Sequence, residues 1–98
     1  MNKLSMMRRA NGEFFTLTRK GQEFLAVWPS LESAIQYKVR NPELLVFVPI
    51  GVASPFIQKR LNLLQKEGVG LFLLDDTKVA LLKEGRNMRW EEMGRDGT

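Results

Sequence analysis

Leu44-Leu45-Val46-Phe47-Val48-Pro49-Ile50 is the stretch on which the fold turns. It is apolar throughout and lies between two amphipathic segments, a pattern that predicts a parallel strand covered on both faces. Upstream, Ser30 is placed to cap a helix in which Leu31, Ala34, Ile35 and Val39 recur at i, i+3, i+4 and i+8, the spacing of one buried face, and Asn41-Pro42 stops it. Downstream, Ser54-Pro55 puts a cap residue before a proline at the first helical position. Ile57, Leu61 and Leu64 line the inner side of that second helix, and Gly68 supplies a left-handed cap where the chain leaves it.

Beyond the helices lie two hairpins. Glu13 to Arg19 and Gln22 to Trp28 are β-type runs joined across Lys20-Gly21, and Pro29 ends the second. Val69 to Leu74 is a fully apolar strand, Asp75-Asp76-Thr77 a turn, and Lys78 to Lys83 a closing strand with lysine guards at both ends. The order ββαβαββ predicts an α/β (α+β) domain, a mixed five-stranded sheet with two helices and parallel crossovers. Phe47, Val48, Leu71, Leu73, Ile35 and Leu61 are the expected core. Without a linker to split the 98 residues, one domain is expected over 1–98, with an ordered core at about 13–84, a basic N-terminal arm at 1–12 and a mixed-charge tail at 85–98, where Trp90 can dock.

Composition removes much chemistry. The chain has no cysteine and no histidine, so disulfides, thiol nucleophiles, histidine-based zinc hydrolases and serine-histidine triads all lack their key atoms. Any catalysis has to run on carboxylates, lysine or a hydroxyl, and no cofactor is implied. The apolar runs are of strand length and fall short of a membrane span. The polar residues after the basic start leave no apolar signal core, so a cytoplasmic protein without a membrane partner is expected.

The strand Glu23 to Trp28, a helix containing Gln36-Tyr37, the strand Leu44 to Pro49, a second helix and then Gly68-Val69-Gly70-Leu71-Phe72-Leu73-Leu74-Asp75 together resemble the later half of the restriction-endonuclease-like PD-(D/E)XK nuclease fold. The similarity covers roughly residues 13–83. That family holds a divalent metal with two carboxylates and steadies water or phosphate with a lysine. Where its acidic-x-lysine set would fall, this chain has Ala26-Val27-Trp28-Pro29. The resemblance therefore implies a scaffold without its catalytic constellation.

Residues 1–60 hold nine cationic side chains against four carboxylates, which favours a polyanionic partner. The expected function is that of a small non-catalytic nucleic-acid-associated protein, with DNA favoured over RNA. Its contacts are expected from Arg19 and Lys20 at the hairpin tip, Lys59 and Lys66 on one helix face, and Arg8 and Arg9 of the arm. Trp28, at a strand end that opens onto a helix, is a candidate base-stacking residue, with core packing the more frequent role for such a tryptophan. A homo-oligomeric interaction module, such as a homodimer joined by a sheet edge or an apolar helix face, is the alternative. A metal-dependent nuclease using Glu13, Glu23 or Asp75-Asp76 is the third reading.

Overall fold

The computed structural model describes residues 4–52, 55–74 and 85–92. The elements in chain order are β1 (Ser5–Arg9), β2 (Thr16–Arg19), β3 (Gln22–Val27), α1 (Leu31–Arg40), a 3-10 turn (Pro42–Leu44), β4 (Phe47–Gly51), α2 (Pro55–Lys66), β5 (Gly70–Leu73) and β6 (Arg86–Met88). The fold is mixed α/β, as expected, but the expected single five-stranded sheet is divided. Four strands run in the order β2-β3-β5-β6, with β3 and β5 parallel and the flanking pairs antiparallel, while β1 and β4 form an antiparallel pair of their own.

The two sheets are stitched at β1. Ser5 exchanges both backbone hydrogen bonds with Trp28, at 2.9 and 2.8 Å, and the Phe15 N–H donates to Met7 O at 2.9 Å. Met6 and Met7, in the segment expected to be an arm, are fully buried on opposite sides of the sheet. Strand alternation puts one in each core.

Alternation also explains the two cores. Leu25, Val27, Leu71 and Leu73 point to one face and pack with Ile57 and Leu61 of α2. Ala26, Trp28, Phe72 and Leu74 point to the other and pack with Ala34 and Tyr37 of α1. Each fully buried aliphatic side chain contributes about 1.5–3 kcal/mol, so β3 and β5, covered on both faces, are the most stabilised strands. Of the expected core residues, Leu61, Leu71 and Leu73 are buried as read.

The other three are not. Ile35 is 47% exposed, Val48 57% exposed, and Phe47 is only half-buried against Phe15. In α1 the Ser30 hydroxyl accepts from Ser33 N–H at 3.1 Å, as the capping pattern predicts. At its other end Asn41 Nδ2 donates to Tyr37 O at 2.8 Å. The buried face, however, is Ser33, Ala34 and Tyr37, which leaves Leu31, Ile35 and Val39 outward. Tyr37 packs edge-on against Trp28, with centroids 5.9 Å apart, and an aromatic buries more area than an isoleucine or valine, so it sets the rotation of the helix.

The stretch Leu44 to Ile50 is likewise not a central strand. β4 pairs only with β1 among the described residues. Because Ser5 N–H and C=O point to Trp28, Met6 and Arg8 direct theirs to Ile50 and Val48. The backbone groups of Phe47, Pro49 and Gly51 therefore face the outer edge, where Pro49 has no N–H to leave bare. Pro49 is a reason this strand sits at an edge.

The C-terminal segment contains a strand where a tail was expected, since β6 pairs with β5. Trp90 docks as expected, its Nε1 donating to Val69 O at 3.0 Å. The expected strand Lys78 to Lys83 and the Asp75-Asp76 turn lie outside the described residues.

Candidate nucleic-acid interface

The hairpin tip is built by Lys20 and Gly21, both with positive φ, at 53° and 80°. That is the two-residue turn whose twist matches its strands, and lysine is an unusual occupant of its first position. It sets Lys20 beside Arg19 at the mouth of a cleft of about 400 Å³ on the α1 side of the sheet. Arg86 of β6 borders the cleft, but it stands opposite Leu73, on the α2 side, and its guanidinium donates to Asn87 O at 3.4 Å. Among the described residues, Arg19, Lys20 and Arg86 are the charged ones that line the cleft, and Gln22 and Asn87 add amides.

The floor is aromatic. The Arg19 guanidinium lies 4.6 Å from the centroid of Phe72, and Phe24 meets Phe72 edge-on at 6.2 Å. A cation on a ring face keeps its charge while losing flexibility, which preorganises it for an anion. Phe24 takes its place because Gly70 opposite it carries no side chain; a Cβ there would fall 2.7 Å from the Phe24 ring. Arg86 also lies 3.7 Å from Glu92, a surface pair of small energetic weight. A hydrogen bond from Arg89 N–H, opposed by desolvation and reinforced by the charges of Arg86 and Arg89, lowers the Glu92 pKa below its usual value. Whatever that carboxylate contributes to stability is present above the ordinary range and is lost as pH falls through the lowered value.

The six expected cations do not form one surface. Arg19 and Lys20 converge on the cleft. Lys59 and Lys66 are exposed on α2, which covers the opposite face of the sheet. Arg8 and Arg9 lie over Phe56 and Phe47, at 5.5 and 5.8 Å, beside a shallow groove floored by Val46, Val48 and Ile50. Arg60 reaches Gly12 O at 3.4 Å and sits 6.0 Å from Phe14. Trp28 is fully buried and takes the core role.

Glu13 and Glu23 do line one groove, together with Glu67 and Arg60, between the hairpin and α2. Glu23 accepts a hydrogen bond from Thr16 Oγ1 at 3.2 Å. Among the described residues, no group of three or more acidic side chains is placed to hold a metal ion, and Asp75-Asp76 falls outside them. Arg86 was missed because the segment reads as mixed charge. No helix among the described residues is long and apolar enough to cross a membrane. Compared with protein-family models, with curated proteins and with solved structures, the chain matches none of them.

Proposed function

We propose that the protein associates with nucleic acid without cutting it, and that the hairpin-tip cleft is its principal contact. The observation that best supports this reading is that Arg19 and Lys20 of the hairpin tip border a cleft lined by Phe24 and Phe72. Two neighbouring cations at a hairpin tip beside an aromatic floor offer a polyanion a contact at a concavity. The resemblance of residues 13–83 to a nuclease scaffold without its acidic-x-lysine set favours DNA and disfavours cleavage.

The test is binding of single- and double-stranded DNA and RNA over a range of salt. Backbone contacts release counterions, so affinity is expected to fall steeply as salt rises. Replacing Arg19 and Lys20 by glutamate is expected to weaken binding and flatten the slope, and the same reversal at Lys59 and Lys66, on the far side of the sheet, to matter less. Absence of binding, or binding indifferent to salt and to the Arg19/Lys20 reversal, overturns the proposal. The homo-oligomeric alternative then becomes the better account, supported by the outward stripe of Leu31, Ile35 and Val39 on α1.

A further inference from the structure

We infer that two copies of this chain pair through α1, antiparallel about a two-fold axis at Ile35. The inference uses no residue of the hairpin tip and is independent of the nucleic-acid reading.

The outer face of α1 is the surface in question. Leu31, Ile35 and Val39 are 50%, 47% and 79% exposed and follow one another at intervals of four, which makes them a continuous ridge along the helix. Ser33, Ala34 and Tyr37 hold the other face in the core, so α1 cannot turn to hide the ridge without giving up the contact of Tyr37 with Trp28. Aliphatic side chains in a row on one face, unlike single ones scattered over a surface, mark a contact with another molecule.

Charge identifies that molecule. The first turn of α1 carries Glu32, and the last turn carries Lys38 and Arg40. Counted from Ile35, Leu31 and Val39 stand at equal intervals to either side, and so do Glu32 and Lys38, with opposite sign. A two-fold axis at Ile35 therefore brings Leu31 of each copy level with Val39 of the other, and Glu32 level with Lys38. Both charges are on offer. Among the described residues, neither the Glu32 carboxylate nor the Lys38 ammonium has an ion-pair or hydrogen-bond partner. Antiparallel packing also sets the two helix dipoles in opposition, which favours the pair. A parallel pair would put like charges side by side at both ends, and a partner of one charge sign would meet its own sign at one end. A second copy fits the helix as it stands, in the isologous arrangement that is the commonest among oligomers. The 10 residues of α1 fall short of the roughly 20–30 a side in a standard interface, so the pair is a weak one that forms as concentration rises.

The experiment follows the full chain by sedimentation equilibrium up to about 1 mM, where the average mass is expected to rise toward that of a dimer. Ile35→Glu puts two carboxylates together on the axis and is expected to weaken association roughly ten-fold or more, with circular dichroism checking the fold. Glu32→Lys is expected to weaken it about three-fold, and adding Lys38→Glu to restore it, since the swap rebuilds opposite pairs. Because the chain has no cysteine, single cysteines report the register. Ile35→Cys is expected to give a disulfide-linked dimer on mild oxidation. Leu31→Cys is not, because the helical rise leaves its two copies roughly 12 Å apart, beyond the reach of a disulfide. A mass that stays monomeric throughout overturns the inference. So does association that the folded Ile35→Glu variant retains, or cross-linking of Leu31→Cys as readily as of Ile35→Cys, which would mean another surface or a parallel pair.

Discussion

β5 and β4 are both short, glycine-flanked and aliphatic, yet they live in different environments. Leu71, Phe72, Leu73 and Leu74 are all buried, with β3 on one edge, β6 on the other and a helix over each face. In β4, Val48 is largely exposed, one edge has no strand partner among the described residues, and Pro49 sits on it. The difference teaches that apolar content marks a segment as a strand without saying how many neighbours it has. Number of partners is set by the rest of the chain, and the residue that carries local information about it is the proline, which a doubly paired strand cannot accommodate.

The largest expected contrast is between truncations. Leu71→Ala is expected to cost about 2–5 kcal/mol because it leaves a cavity between β5 and α2, whereas Val48→Ala is expected to stay below roughly 1 kcal/mol. Urea denaturation of both variants measures this, and equal costs would break the ranking of the two strands. A second contrast uses their glycines. Gly70→Ala forces the Phe24 ring aside and is expected to cost roughly 1–3 kcal/mol, while a Cβ at Gly51 meets nothing within 4 Å and is expected to change stability by less than about 0.5 kcal/mol.

The smallest effect on stability is expected from Pro49→Val, which gives the outer edge of β4 the N–H it now lacks. Its consequence should appear in association, as a light-scattering signal that grows with concentration more steeply than for the parent. An unchanged signal would mean that something other than proline protects the edge.

Much of the architecture was readable from short-range chemistry. The Lys20-Gly21 hairpin, the Ser30 cap, Pro55 at the start of α2 and Gly68 with φ +84° all lie where local rules put them. What failed depended on partners distant in sequence. The rotation of α1 follows from Tyr37 meeting Trp28, and a count of aliphatic spacing passes over a tyrosine. The role of Ser5–Arg9 follows from hydrogen bonds to Trp28 and from the Ser5 hydroxyl to Ile50 O, 45 residues away at 2.8 Å, neither of which leaves a local trace beside two arginines. The site divides in the same manner. Arg19 and Lys20 were legible because a turn exposes its own residues, but the far side of the cleft they border, at Gly85 and Asn87, needs β6 in place next to β5.

The stitching of the two sheets by β1 has a consequence for the birth of the protein. Met6 and Met7 are synthesised well ahead of β5, which is part of the packing that covers them. At translation rates of roughly 5–20 residues per second, this apolar pair waits several seconds before its partners exist. Arg8 and Arg9 follow it directly, and charges flanking an unpaired hydrophobic strand hinder its addition to other chains. The two arginines therefore guard the nascent chain through that interval, before either ring they cover in the finished fold has been made.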